Sequence, residues 1–154
     1  MLERTWAPSW PINLASTLGP LSRGGADPTM RIGLDGVWRT TRTPEGPATV
    51  HYGAVGRQVL IRAWGPGAEV ELDLAPRLLG ADDDPQDFPA HAHPVMAAAA
   101  KRFGAGWRVL RTQRVLEALV PAILEQRVTG VEARRSWAQL VRAHGEPAPG
   151  PAGA

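Results

Sequence analysis

The chain has 154 residues with no cysteine, 17 glycines and 15 prolines, and 44% of it is hydrophobic against 21% charged. That length fits one domain or slightly more, and the composition belongs to a globular protein rather than a disordered one. The missing Cys excludes disulfides, thiolate zinc sites, iron–sulfur ligation and a cysteine nucleophile within these residues, while a net charge of only +2 excludes a strong overall field.

The opening Met1-Leu2-Glu3-Arg4-Thr5-Trp6 has no apolar run behind a basic cap, so no signal peptide is expected. No apolar stretch approaches the roughly 18 residues a membrane span needs. A cytoplasmic protein with no membrane partner is the expectation. A short helix is predicted over 11–21. Strands follow at 30–34 and 37–43, joined by Asp35-Gly36, a dipeptide suited to the two positive φ angles of a type I′ turn. Thr43-Pro44-Glu45-Gly46-Pro47 makes the next turn, and strands at 48–52 and 58–64 complete an antiparallel meander that Gly65-Pro66-Gly67 stops.

Residues 69–79 keep both strand and helix spacing. Glu69, Glu71 and Asp73 suit a helix N-terminus and Gly80 a C-terminal cap, which favours a short helix. Asp82-Asp83-Asp84-Pro85 reads as a loop, and Pro94 opens a helix through Phe103. Val115, Leu116, Leu119, Val120, Ile123 and Leu124 predict a helix over 113–126 that Pro121 kinks. Thr129 and Glu132 form a capping box for a last helix, with Ala133, Trp137, Leu140 and Val141 as its apolar stripe and Gly145 as its end. The remainder, rich in Pro, Ala and Gly, is expected to pack against nothing. The fold class is therefore α+β: an antiparallel four- to five-stranded sheet with short helices, then a helical segment ending in an αα-hairpin. The organisation reads as 1–90, 91–145 and a tail at 146–154.

Charge is uneven along the chain. Residues 1–99 carry 8 basic and 11 acidic side chains, and residues 100–154 carry 9 and 4, so the second part is basic. Such a balance suits a phosphate-bearing partner, or a solvated helix face. Asp82, Asp83, Asp84, His91 and His93 are residue types that ligate metals, yet they lack the alternating spacing of a calcium loop; a solvated acidic loop is the reading, with no metal. Gly104-Ala105-Gly106 lacks the preceding strand and third Gly of a dinucleotide site, so no cofactor is implied. Six Trp could stack on bases, but in a sheet-plus-helix protein they read as core. The helix pair at 113–144 is open to two readings. It is a plain packed hairpin, or its tight turn contacts DNA through the amides opening the second helix, with Arg127, Arg134 and Arg135 adding charge.

The run Leu119-Val120-Pro121-Ala122-Ile123-Leu124-Glu125-Gln126-Arg127-Val128-Thr129 resembles a segment of the DNA-3-methyladenine glycosylase II family, one of the helix-hairpin-helix DNA glycosylases. Trp10-Pro11 with its short helix, the sheet, Leu78-Leu79-Gly80-Ala81-Asp82-Asp83-Asp84, the His93-Pro94 helix and Arg111-Thr112 follow that family's order. The resemblance implies base excision: an alkylated base is flipped from double-stranded DNA and its N-glycosidic bond hydrolysed. It assigns DNA contact to Gln126, Arg127, Val128, Thr129 and Arg134, and places Arg127 at the wedge position, where relatives carry an apolar residue. Leu18 falls near a position lining the base pocket. The family's hairpin and catalytic Asp lie beyond the matched segment, so no catalytic residue is carried over. The expectation is an N-terminal part, inactive alone, partnered by alkylated duplex DNA and a separately encoded C-terminal half. The alternative is a non-catalytic DNA-binding or interaction module.

Overall fold

The computed structural model describes residues 1–85, 88–103, 106 and 108–151. Five strands form one antiparallel sheet: β1 (Leu2–Trp6), β2 (Met30–Gly33), β3 (Gly36–Thr43), β4 (Gly46–Val55) and β5 (Gln58–Trp64), in the order β1-β5-β4-β3-β2. Helices α1 (Leu14–Leu18), α2 (Ala68–Leu78), α3 (Pro94–Phe103), α4 (Val115–Leu124) and α5 (Gly130–His144), with 3-10 turns at Gly19–Leu21 and Ala90–Ala92, complete the described elements, an α+β fold as expected. No helix among the described residues is long and apolar enough to cross a membrane.

Register explains the core. Val37 lies opposite Tyr52 and Val50 opposite Ala63, so alternate residues of β3, β4 and β5 face one side. There Val37, Val50, Tyr52, Val59 and Ile61 pack with Leu14 and Leu18 of α1 and Leu72, Ala75, Leu78 and Leu79 in and beside α2. The opposite side carries Trp38 stacked on Trp64, ring centroids 5.5 Å apart, with His51 4.4 Å from Trp38. All five described tryptophans are half-buried; Trp6 packs against the core, while Trp38 and Trp64 lie on the opposite side, a correction to their reading as core. Trp10 instead lies under the Arg108 guanidinium, 4.5 Å from its ring centroid.

Four further expectations change. Strand β1 was not foreseen; it pairs along β5 from Leu2 opposite Ala63 to Trp6 opposite Val59. The β2–β3 turn is not type I′: Gly36 has φ +127, but Asp35 does not adopt a positive φ. Leu34 and Asp35 form the tip instead, where Asp35 accepts hydrogen bonds from Arg31 (3.0 Å) and Trp38 Nε1 (2.8 Å). Helix α4 is shorter than 113–126, because Gln113 takes the left-handed φ of +54 and cannot start a helix. Finally, the segment after Gly145 does pack. Glu146 pairs with Arg42, Pro149 lies against Gly65, and a Cβ on Gly150 would sit 3.1 Å from Trp64 Cγ. Pro rings need no hydrogen-bond donors of their own, so they can lie on the tryptophan-bearing side of the sheet.

The chain returns to the sheet after α3. Val109 N donates to Asp83 at 2.9 Å, Leu110 packs on the core, and Arg114 reaches Glu71 at 2.8 Å. This return delivers α4 and α5 to the open end of the sheet.

Candidate nucleic-acid interface

Only the short turn 125–129 separates α4 from α5, and each of its residues is exposed. Thr129 caps α5: its hydroxyl accepts from Glu132 N, and the Glu132 carboxylate accepts from Thr129 N at 2.9 Å. This capping box is worth about 1 kcal/mol of helix stability. The Thr129 hydrogen bonds hold the Glu132 carboxyl below its ordinary pKa. Of the four amides that an α-helix leaves without internal acceptors, the box occupies one within α5. Those of Gly130 and Val131 stand at the exposed tip, and a Cβ built on Gly130 meets nothing within 4 Å. An anion can therefore approach the positive end of the α5 dipole there.

Around that tip, positive charge exceeds negative. Arg127 is exposed beside Gln126 and Val128, and Arg134 and Arg135 project from the next turn of α5. Glu125 is engaged with Arg23 at 3.9 Å, and Glu132 is held in the capping box. Arg134 lies along Gly24, whose Cβ, were there one, would sit 2.9 Å from Arg134 Cδ. Five of the residues assigned by resemblance (Gln126, Arg127, Val128, Thr129 and Arg134) therefore share one exposed end of the hairpin. Leu18 does not join them. It is fully buried in the core cluster that includes Leu14, Val50 and Leu78 and is absent from the walls of the cleft beside the hairpin.

That cleft, of about 530 Å³, opens between the β2–β3–β4 end of the sheet and the hairpin. Arg39, Thr41 and Glu117 line it, and they belong to an ion-pair network, missed by the sequence reading, that continues behind the wall to Glu71 and Arg114. Arg39 donates to Glu71 at 2.9 Å and to Glu117 at 2.6 Å, Arg114 donates to the other Glu71 oxygen at 2.8 Å, and Thr41 donates to Glu117. Two guanidiniums and two carboxylates balance, which is the condition for burying charge without a large penalty. The carboxylates keep the Arg39 pKa above its ordinary value despite burial. The legible signal was the period of β3: if Val37 faces inward, so must Arg39.

The Asp82-Asp83-Asp84 stretch is an exposed loop, as expected, and it also holds neighbouring segments. Asp82 accepts from Arg77 at 2.6 Å and lies 3.7 Å from Arg111, while Asp83 takes the Val109 amide. No cluster of three or more His, Asp or Glu able to hold a metal occurs among the described residues. The stripe of α5 shifts slightly from expectation: Ala133 and Ala138 are buried, Trp137 donates to Asp27 at 3.1 Å, and Leu140 is exposed. Along α4, Val115 (75%), Leu116 (71%), Leu119 and Ile123 are exposed, and only Pro121 is buried. Compared with protein-family models and with curated proteins, the sequence matches none.

Proposed function

We propose that the α4–α5 hairpin grips duplex DNA, and that the chain serves as the DNA-holding N-terminal portion of a base-excision glycosylase acting on alkylated bases. The observation that carries this reading is the exposed tip itself. The outward amides of Gly130 and Val131, the exposed Arg127, and Gln126 and Thr129 meet at one end of a helix pair beside the sheet. Amides at a helix N-terminus and a guanidinium are complementary to phosphate oxygens. Hydrolysing an N-glycosidic bond also requires a carboxylate to stabilise the oxocarbenium-like sugar. The resemblance carries that role to no Asp of this chain, so here the chain binds and positions, and the chemistry falls to a C-terminal half.

Fluorescence anisotropy with methylated duplex DNA, together with counting of released bases, tests this. Binding that Arg127→Ala weakens, with no base release by this chain alone, supports it; absence of duplex binding at low salt contradicts it. A second reading, an interaction module without repair chemistry, is favoured by the apolar face of α4, where four large side chains face solvent together.

A further inference from the structure

A groove of about 390 Å³ runs between α5 and the turn formed by residues 22–27. Four arginines, Arg23, Arg134, Arg135 and Arg142, converge on it, and no carboxylate lines it. We propose that this groove is a second phosphate site, which holds a sugar–phosphate strand leading away from the hairpin tip; the strand's identity as DNA rests on the reading above.

The charge is only partly met within the protein. Arg23 is 3.9 Å from Glu125, Arg142 donates weakly to Ala26 O at 3.5 Å, and Arg135 interacts electrostatically with Glu132. Arg134 forms no hydrogen bond or ion pair among the described residues. The nearby Asp27 is turned to other work, accepting from Arg23 N at 2.7 Å, Thr29 and Trp137. Converging guanidiniums repel one another, and an anion between them adds shorter-range attractions that outweigh that repulsion. Their planar forks match phosphate oxygens two at a time.

The floor is shaped for an extended ligand. Gly24, Gly25 and Ala26 leave backbone where side chains would otherwise stand; Gly24 takes φ +93, and Gly25 has open space above it. The turn is already ordered by Arg23 N and Thr29 N on Asp27 and by Gly24 N on Ser22 Oγ, so little entropy remains to be lost on binding. Arg134 and Arg142 are two helical turns apart, about 12 Å at 1.5 Å per residue, a span for more than one phosphate. No aromatic ring lines the groove, which suits a backbone rather than a base.

Gly25→Asp tests the proposal without disturbing the fold, because a side chain there meets nothing within 4 Å and the backbone is not left-handed. Gly25→Asn is its neutral twin. With the full chain, labelled duplex and several salt concentrations, Gly25→Asp weakens binding at least about tenfold and Gly25→Asn stays within about twofold. Arg134→Ala combined with Arg142→Ala lowers the slope of log affinity against log salt by about two, and the double Lys variant keeps it. Circular dichroism confirms that each variant is folded. Equal duplex binding by Gly25→Asp and wild type overturns the groove, and if Arg127→Ala still weakens binding the hairpin reading survives. A parallel NMR titration uses inorganic pyrophosphate. Should the wild type ignore duplex while pyrophosphate shifts the Gly24 and Gly25 amides, and Gly25→Asp abolishes those shifts, the DNA reading fails and the anion site stands.

Discussion

Arg39, at the centre of β3, and Glu71, in the first turn of α2, meet at 2.9 Å with side-chain exposures of 5% and 0%. One charge of each sign is thus carried into the core, and Arg114 at the N-cap of α4 and Glu117 in its first turn complete the set. The pair fixes how the sheet meets α2 and, through Glu117, how the hairpin meets the sheet.

Removing one partner therefore leaves a buried charge unmatched. Glu71→Gln is expected to cost about 3–5 kcal/mol in urea unfolding, the range for breaking a buried pair. Arg62→Ala, which removes an exposed pair with Glu3, costs under about 1 kcal/mol. Similar losses for the two variants contradict the account of the core.

Tyr52, the single tyrosine, is wholly buried beside the Arg39 guanidinium, and its hydroxyl meets no hydrogen-bond geometry among the described residues. Burial pushes its pKa upward, against the partial opposition of the neighbouring Arg39. A raised folded-state value means that the unfolded chain ionises first. The stability linked to Tyr52 is complete below about pH 10 and is lost progressively as the pH climbs through the folded value. Tyr52→Phe is expected to be at least as stable as wild type at neutral pH and to flatten the alkaline limb. A variant that is much less stable at pH 7 contradicts the unpartnered hydroxyl.

The α4 face makes a separate prediction. Because Val115 and Leu116 face solvent, Leu116→Lys should change folding stability by less than about 0.5 kcal/mol, as surface changes do. It should also reduce binding of a hydrophobic fluorescent dye. A large loss of stability with unchanged dye binding shows that Leu116 is covered in solution.

On the proposed DNA reading Arg127 has two modes of action, and salt separates them. If its guanidinium meets a phosphate, Arg127→Ala weakens binding to every duplex and lowers the salt slope by about one. If it fills the gap left by a flipped base, the loss is larger at an abasic site and the slope hardly moves. Thr129→Ala is the control, since it removes about 1 kcal/mol of helix capping without altering that charge.

Local signals carried the elements they govern. Strand β5 and α3 matched their alternation and Pro start, and Thr129 with Glu132 marked the start of α5. What escaped was set at long range. The period of β3 turns Arg39 inward, but the carboxylates that pair with it lie 32 and 78 positions away, beyond any local signal. β1 sets Leu2, Arg4 and Trp6 opposite Ala63, Ile61 and Val59, and Arg4, exposed and bonded to Asp73 at 3.1 Å, breaks the apolar pattern. The tail was dismissed on composition, yet Pro149 and Gly150 find the sheet. The arginine groove joins Arg23 to α5, and no window of sequence contains both.

The central claim is that the hairpin tip and its neighbouring groove face DNA, and mapping of backbone amide shifts by NMR during titration with a short duplex tests it most directly. The account predicts that the largest changes fall on Gln126, Arg127, Gly130 and Val131, and on Gly24 and Gly25 beside them, while β1 from Leu2 to Trp6 stays still. Changes centred on the Trp38–Trp64 side of the sheet, or none at duplex concentrations that saturate anisotropy, would contradict it.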